Sequence, residues 1–222
     1  MKKGINKNGA ETRSRILAIG KELFFEKGFF SVSIAEICRQ ADIAPGNFNY
    51  YFPTKIDLVG EILRDYQARC VAFAEQITPE GSSDALAKCI QSHTIMLSLA
   101  RDESTSRFLL DVYEDPKSTH LIRNLLESNY SSTLSSAAAA QGPKGLMYFI
   151  SADTHIKLGL FRDLMLRTGF HPTRSQVLEC AEAMFLLFGR LFYLEEAEVR
   201  SALDTAREIF ARCGEDALPA LI

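Results

Sequence analysis

The sequence predicts an all-α protein with a small N-terminal helix-turn-helix domain and a larger helical domain behind it. Apolar residues recur at helical spacing along most of the chain, and no alternating strand pattern competes with them. The stretch Ser33–Phe52 has the order of helix, tight turn and short polar-aromatic helix. With 222 residues, of which 47% are hydrophobic and 24% charged, the chain can form one or two domains with a substantial core.

The first predicted helix opens the N-terminal domain. Thr12 can cap its start, and its buried face includes Leu23 and Phe24. Gly28 follows at the position where a left-handed residue commonly ends a helix. The spacing therefore predicts one amphipathic helix that ends shortly before the next helix signal begins.

The next stretch, Ser33–Phe52, is the one around which the chain is organised. Ser33 and Glu36 have capping-box spacing and begin a short second helix. Proline and glycine within 42–46 stop that helix and allow a third, at 47–52, to start at a new angle. This is the order of a DNA-reading motif, although an ordinary helical hairpin is the alternative for the stretch taken alone.

The remaining elements form a helical body. Pro53 can occupy the first turn of a long fourth helix that continues to Thr78 and spans about 36 Å. Further helices are predicted at 84–101, around 108–113, and at 118–141, 146–168, 173–197 and 199–213, with a loop at 142–145. We therefore expect a helix-turn-helix domain at residues 1–55, with its motif at 33–52, and an effector-binding and dimerisation domain at 56–222.

The helix predicted at 173–197 is apolar on nearly every side. Such a helix must be covered by its own domain and by a partner subunit. Together with the last helix it predicts an isologous four-helix contact between two copies of the chain. The residues expected at this contact are Val177, Met184, Leu187, Leu191, Leu203 and Phe210.

Charge is distributed unevenly. The net charge is −3, which is not that of a general nucleic-acid binder. Residues 1–65 nevertheless carry ten Lys and Arg against eight Asp and Glu, whereas the remainder carries fifteen against twenty. An arm with Lys2, Lys3, Lys7, Arg13 and Arg15 can therefore approach phosphates while the acidic body faces away.

Cysteine usage and hydropathy predict a cytoplasmic protein. The five cysteines are widely separated and form no C-x-x-C pair, which is typical of reduced thiols. The most apolar stretch, 183–194, is too short to cross a membrane and is interrupted by Arg190. No secretory leader follows the basic start.

These motifs together carry a family resemblance. The pattern reads TRxRIL at 12–17, LFxEKGF at 23–29, SIxxI at 33–37, ADI at 41–43 and GNFNYYFPTK at 46–55. It resembles the N-terminal DNA-binding domain of TetR-family transcriptional regulators over roughly residues 9–69. The resemblance implies a homodimer that binds a partly palindromic double-stranded operator, usually as a repressor, and is released by a small ligand in the C-terminal domain.

Individual positions can be matched to this pattern. Ser33 resembles the cap whose helix N-terminus faces a phosphate, and Gly46 resembles the turn glycine that passes close to DNA. Tyr51 and Lys55 resemble phosphate contacts, and Arg39 can add further phosphate attraction. The positions implied to face the major groove or its rim are Pro45, Asn47, Asn49 and Tyr50. The positions implied to be structural are Ile37, Ala41, Ile43, Phe48, Phe52 and Leu58.

Three positions of the recognition helix differ from the family pattern. Asn49 stands where tyrosine is common, Tyr50 where histidine is common, and Pro45 where lysine is frequent. An asparagine can pair bidentately with adenine, so Asn49 is a candidate base reader. The recognition helix contains no Lys or Arg, and phosphate attraction must therefore come from outside it.

The sequence signals for an effector-binding site are less specific than those for DNA binding. The apolar, aromatic-rich body indicates a largely apolar effector, although any large helical core has a similar composition. No paired His or Cys/His spacing indicates a metal, and no cofactor is predicted. Each candidate below can equally be an ordinary core or surface residue. The candidates are His93, Met96, Phe108, Tyr113, Tyr148, His155, Phe185 and Phe188.

Two other functions remain open at this stage. One is a regulator controlled by a protein partner or by cysteine oxidation instead of a small molecule. The other is an all-α enzyme or cofactor-binding protein whose N-terminal region only imitates the motif. The sequence contains no nucleophile elbow, Gly-rich phosphate loop or carboxylate–histidine metal set, so we expect no enzymatic activity.

Overall fold

The computed structural model describes residues 7–118, 120–121 and 135–221, with side chains except at 7–8 and 135–146. All regular structure in these residues is helical, as predicted. The helices are α1 Lys7–Lys27, α2 Ile34–Gln40, α3 Pro45–Tyr51, α4 Lys55–Ile77, α5 Asp84–Leu99, α6 Glu103–Glu114, α7 Ser135–Arg167, α8 Arg174–Leu191 and α9 Glu196–Arg212, followed by a 3₁₀ turn at Glu215–Ala217. None of the described helices is long and apolar enough to span a membrane.

The first three helices form a compact head. Gly28, with φ of 79°, ends α1 in the left-handed conformation, as its position predicted. The Ser33 hydroxyl accepts a hydrogen bond from the Glu36 N–H at 3.2 Å and so caps α2. Between α2 and α3 the left-handed residue is Asp42, with φ of 51°, and not the glycine. The Ile43 N–H donates to the Cys38 carbonyl oxygen at 3.0 Å and closes this turn as a Schellman motif.

Helix α4 connects the head to the body. Thr54 is its N-cap, and Thr54 and Asp57 satisfy each other's backbone N–H groups in a capping box. The helix has 23 residues and is therefore about 35 Å long. Leu58 on its first turns is fully buried against the head, whereas Cys70 is fully buried farther along in the body. One rigid element thus belongs to both core regions.

Helix α5 is the centre of the body. Ser83 caps it, as predicted, by accepting from the Leu86 N–H at 3.2 Å. It packs against α4, α6, α8 and α9. The buried side chains of α5, which include Cys89, Ile90 and Leu97, lie on several sides of it, because neighbours surround it.

Two boundaries are shifted slightly, since α3 starts at Pro45 and not at 47, and Pro53 precedes the N-cap of α4 instead of lying in its first turn. Two larger differences lie in the N-terminal and middle regions. Helix α1 begins at Lys7, so Thr12 lies within it and is not its cap. Residues 142–145, predicted to be a loop, continue helix α7. A proline inside a helix costs about 3 kcal/mol. The alanines at 137–140 are the strongest helix formers, and they carry the helix into the Gly-Pro segment.

A third difference lies near the C-terminus. The helix predicted to run from Thr173 to Ala197 is two helices, because α8 ends at Leu191. Tyr193 takes a left-handed conformation with φ of 56°, and the Leu194 N–H donates to the Gly189 carbonyl oxygen at 2.8 Å. A tyrosine gives no sequence signal for such a turn. The predicted helix at 118–141 lies largely outside the described residues, and its part from 135 onward belongs to α7.

Candidate nucleic-acid interface and effector cavity

The outer side of α2 and α3 carries most of the residues predicted to contact DNA. Phe48 and Phe52 anchor the two short helices on their inner side. Their ring centroids are 6.0 Å apart, and both side chains are buried. Tyr50, which is 69% exposed, lies edge-on to Tyr51 at 5.0 Å. The exposed members of the predicted set are Ser33, Arg39, Pro45, Gly46, Asn47, Asn49 and Tyr50, and the half-buried ones are Tyr51 and Lys55.

The residues predicted to be structural lie on the inner side. Ile37, Ala41, Phe48, Phe52 and Leu58 are buried, and Ile43 is half-buried. The head therefore separates its two sets of side chains by helix face. The outer set consists mainly of amides, a hydroxyl, a tyrosine and a glycine.

Gly46 has no role in the fold that requires a glycine. It lies in the first turn of α3, directly after Pro45, and its backbone is not left-handed. A Cβ atom at this position would meet nothing within 4 Å among the described residues. The missing side chain therefore leaves space on the outside of the head.

Lys55 holds the turn between α1 and α2. Its ammonium donates to the carbonyl oxygens of Phe29 at 2.8 Å and Val32 at 2.9 Å, and it lies 4.2 Å from the Phe29 ring centroid. Burial lowers the pKa of Lys55, and the negative charge of Asp115 partly opposes that shift. Two of the three donors are thus engaged inside the chain, and Lys55 has a positioning role that its sequence pattern did not reveal.

The cations of the head are partly neutralised by nearby carboxylates. Glu36 accepts from the Lys27 ammonium and lies 3.8 Å from the Arg39 guanidinium. The hydrogen bond from Lys27 lowers the pKa of Glu36. Arg13 pairs with Glu61 at 2.9 Å and stacks 5.0 Å from the Phe52 ring centroid. In the predicted basic arm, Lys2 and Lys3 lie outside the described residues.

A second candidate site is a partly open cavity of about 150 Å³ in the body. Helices α4, α5, α6, α7 and α8 all contribute to its wall. Most of the lining is apolar and includes Leu63, Ile95, Phe161 and Phe185. Its polar members are Tyr66, Gln67, Lys88, Gln91, Ser92 and Lys157.

Three of the eight predicted effector contacts line this cavity, namely Met96, Phe185 and Phe188. His93 does not, because its ring stacks on Phe210 of α9 at 5.6 Å. Phe108 does not line this cavity either. It packs against Phe24 and Phe25 of α1, with centroids 5.7 and 5.5 Å away, and so joins the body to the head.

The other three predicted contacts lie outside the cavity as well. Tyr148 is 79% exposed. His155 is also exposed, and its ring lies 6.3 Å from that of half-buried Tyr113. All three predictions relied on residue type, which says nothing about the direction in which a helix presents a side chain.

The sequence contained a signal for residues that the prediction missed. On α5 the cavity-facing residues recur three or four positions apart. These residues are Lys88, Gln91, Ser92, Ile95, Met96 and Leu99. A lysine at the start of an apolar helical stripe could have identified the polar end of the site.

The predicted dimer contact requires a similar correction. Val177, Met184, Leu203 and Phe210 are at most 4% exposed, because the chain's own core covers them. They are therefore not available to a partner subunit. Leu187 is 39% exposed and Leu191 is half-buried, so these two remain candidates.

The cysteines and potential metal ligands form no further site among the described residues. No three His, Cys, Asp or Glu side chains in that part of the chain are grouped to hold a metal ion. Cys38, Cys70 and Cys89 are buried. Burial raises the pKa of each of these thiols, and it raises that of Cys180 to about 11. Burial therefore disfavours the thiolate form on which oxidation depends.

The fold and the α2–α3 motif define a helix-turn-helix protein. Residues 16–62 match the family model described as "Bacterial regulatory proteins, tetR family". The HTH-type transcriptional regulator UidR of Escherichia coli (strain K12) is 37% identical over 84 residues, which are 37% of this chain and 43% of UidR. The chain thus matches less than half of the length of this relative.

Two solved structures share the fold. RolR, crystallised in complex with the ligand resorcinol, has a TM-score of 0.54 at 18% identity, with 87% of this chain and 93% of RolR covered. NalD of Pseudomonas aeruginosa, described as the secondary repressor of the MexAB-OprM multidrug efflux pump, has a TM-score of 0.52 at 21% identity, with 81% and 96% covered. The resemblance seen in the sequence is confirmed at residues 16–62, which match the TetR-family model.

Proposed function

We propose that this chain is a cytoplasmic transcriptional regulator that binds a palindromic double-stranded operator as a homodimer, usually to repress. A small, largely apolar ligand in the body would release it from the DNA. The DNA-binding domain would comprise residues 1–55 and the effector-binding and dimerisation domain residues 56–222. Relatives described as a transcriptional regulator and as a repressor support this assignment.

The observation that carries the proposal is the outer face of α2 and α3. Asn47, Asn49 and Tyr50 are exposed there on a helix whose inner side is fixed by fully buried Phe48. A helix held in this way can enter a major groove with its amides directed at base edges. The free space at Gly46 permits close approach of the backbone to DNA.

Helix α4 provides a physical link between the cavity and the head. Leu63, Tyr66 and Gln67 of α4 line the cavity. Leu58, two turns earlier on the same helix, packs under the head. A ligand that moves α4 by filling the cavity would also move the head relative to a partner head.

A second link joins the head to the body at α6. The Asp111 carboxylate accepts from the Phe29 N–H at 3.2 Å, directly after the left-handed Gly28. Phe108, one turn earlier, packs on α1. Leu109, which directly follows Phe108, lines the cavity. Motion of α6 would therefore reach α1 as well as the cavity.

The homodimer is supported by apolar side chains that α7 and α8 leave exposed. Leu166 is 53% exposed, Leu186 43% and Leu187 39%. Large exposed apolar side chains on two neighbouring helices are typical of an interface. A second copy of the chain would cover them in an isologous four-helix contact.

The test is binding of the full-length protein to labelled duplexes from its own promoter region, followed by fluorescence anisotropy. We expect saturable binding to a short palindrome with a stoichiometry of two chains. Asn49→Ala should relax base preference at one position in each half-site, at a cost of about 1–3 kcal/mol. Uniform weakening on all sequences would show that Asn49 does not read a base.

Gly46→Ala provides a second test that separates folding from DNA binding. The space around Gly46 predicts an unchanged or slightly higher melting temperature, because alanine favours a helix by up to about 1 kcal/mol. DNA affinity should nevertheless fall at least about tenfold if the added methyl group meets the duplex. Full affinity in this stable variant would exclude close approach at Gly46.

Control by cysteine oxidation is not supported by the thiol environments. Three of the five cysteines are buried, with raised thiol pKa values. DNA binding that persists after treatment with peroxide would agree with this. Oxidant-sensitive binding that a single Cys→Ser change abolishes would instead favour the redox alternative.

A further inference from the structure

Two lysines lie at the wall of the body cavity. Lys88 comes from α5 and Lys157 from α7, and both line the cavity together with Gln91. The Lys88 ammonium is 3.4 Å from the Gln91 side-chain oxygen. The Lys157 ammonium lies 5.1 Å from the centroid of the Phe188 ring, which also lines the cavity. The ammonium groups of two lysines therefore lie beside a cavity whose lining is mostly apolar.

Carboxylates within the protein offset part of this positive charge, but they lie outside the cavity. Asp153 pairs with Lys157 at 2.6 Å, and its side chain is only 2% exposed. Asp84, one turn before Lys88, attracts Lys88 from an exposed position. Neither aspartate lines the cavity, whereas both lysines do. The wall of the cavity itself carries two cations and no carboxylate.

The two lysines also act on each other. Burial lowers the pKa of Lys88, and the positive charge of Lys157 lowers it further. Like charges held near each other in a half-buried site repel. An anion bound between them would remove that repulsion and would accept hydrogen bonds from Lys88 and from Lys157.

The rest of the cavity fits a small apolar body. Phe161, Phe185 and Phe188 contribute aromatic surface, and Leu63 and Met96 contribute aliphatic surface. The volume of about 150 Å³ is similar to that of an engineered protein cavity that binds benzene. A single ring with a short substituent therefore has about the right size.

We propose that the effector is a small organic anion, a carboxylate attached to one apolar ring or a short chain, with its carboxylate at Lys88 and Lys157 and its apolar body among Phe161, Phe185 and Phe188. This inference rests on the proposed function for its regulatory meaning. It goes beyond an apolar effector by assigning the ligand a negative charge and by naming the residues that select it. A neutral phenol of the resorcinol type is the alternative for the same space.

The test uses three probes that share a phenyl ring and differ in charge. They are phenylacetate, its neutral isostere phenylacetamide and the cation phenethylamine. Each has about ten non-hydrogen atoms, so millimolar affinities are expected and titration to about 10 mM is needed. Binding to the purified full-length protein is measured by calorimetry and by saturation-transfer NMR.

Phenylacetate should bind about tenfold more tightly than phenylacetamide, since hydrogen bonds to charged groups are stronger than neutral ones. Phenethylamine should not bind measurably. In Lys88→Gln the preference for the anion over the amide should fall to about twofold or less. Lys117→Gln, at an exposed lysine that does not line the cavity, is the matched control and should keep the wild-type ratio.

Lys88→Glu adds a reversal test. It places a carboxylate beside Lys157, so the amine should bind at least as tightly as the anion. Circular dichroism checks that each variant is folded. If a variant is not folded, the ratios of the three probe affinities in the wild-type protein alone decide whether the proposal holds. Equal affinity for anion and amide, tighter binding of the amine, or no anion binding at about 10 mM would overturn the proposal.

Promoter binding measured without any probe separates this inference from the proposed function. Specific DNA binding combined with no anion preference would refute the inference and leave the regulator assignment standing. An anion preference that depends on Lys88, combined with no specific DNA binding, would refute the regulator assignment and keep the ligand class. Release of DNA by phenylacetate and not by phenylacetamide would support both.

Discussion

The head and the body arrange their polar groups in opposite directions. In the head, buried Phe48 and Phe52 form the base, and Asn47, Asn49 and Tyr50 lie outside. In the body, Lys88 and Lys157 line a partly open cavity. The outer face of the head has the extent that a large surface such as a duplex needs, whereas the cavity has room only for a small molecule. The two proposals therefore assign specificity for DNA to shape and amides, and specificity for the effector to charge.

The largest loss of stability, and with it of DNA binding by the head, should come from Phe48→Ala. The Phe48 ring is fully buried beneath α3, and loss of a buried phenyl group costs about 3–5 kcal/mol. We expect unfolding of the head and loss of DNA binding, measured by denaturation and anisotropy. Tyr50→Ala, at an exposed ring on the same helix, should change the free energy of unfolding by less than about 0.5 kcal/mol.

A smaller effect is expected from Gly20→Ala, which tests how closely the head packs on α4. A Cβ atom at Gly20 would lie 2.6 Å from Cδ2 of Leu58, so the buried Leu58 side chain or one of the two helices must shift. Overpacking of this kind costs about 1–3 kcal/mol, partly offset by alanine's helix propensity. Gly159→Ala in α7 meets nothing within 4 Å and should be neutral or stabilising by up to about 1 kcal/mol. Equal melting temperatures for the two variants would contradict the close packing at Gly20.

Thr54, next to the head, and Thr173, in the body, each form a capping box. The same substitution by alanine can therefore be compared at both positions. Thr54 accepts from the Asp57 N–H at the start of α4, and Thr173 from the Gln176 N–H at the start of α8. Replacement of either by alanine should cost about 1 kcal/mol of unfolding free energy. Thr54→Ala should also weaken DNA binding, because α4 begins directly after the recognition helix, whereas Thr173→Ala should not. Weaker binding in both variants would indicate that the body sets the head's orientation through α8 as well.

The head could be predicted closely because its signals are local. Ser33, Gly28 and Pro53–Lys55 mark helix ends within a few residues, and the buried and exposed faces follow from helical spacing. The clamp formed by Lys55 could not be predicted, because its acceptors are carbonyl oxygens of Phe29 and Val32, more than 20 residues earlier in the chain.

The sequence predicted that the body is helical, but it did not predict which residues line the cavity. Residue type identified Phe108 and His93 as candidates, yet Phe108 faces α1 and His93 faces α9. The rotation of each helix is fixed by packing with distant partners, which periodicity alone leaves open. Tyr193 shows the same limit for the backbone, since a tyrosine carries no local sequence signal for its left-handed conformation.

The last predicted effect appears only on a change of pH and concerns His93, a titratable group on the side of α5 that faces away from the cavity. Its Nδ1 atom is 2.8 Å from the Cys89 carbonyl oxygen, while Nε2 is buried and has no hydrogen-bond partner among the described residues. Burial lowers the pKa of His93 from its ordinary 6.5, and its contact with the Cys89 carbonyl only partly opposes this.

Below pH 6.5 the unfolded chain therefore binds a proton that the folded chain does not. The free energy of unfolding should be greatest above this pH and should fall as the pH decreases toward the lower folded pKa, by at most about 1.4 kcal/mol per pH unit. His93→Phe keeps the ring stacking on Phe210 and removes the titration, so its stability should be flatter between about pH 6.5 and 5. Urea denaturation at several pH values measures this difference. An identical slope in both proteins would mean that His93 is protonated in the folded body, and that the body admits charge on this side of α5 as well as at the cavity.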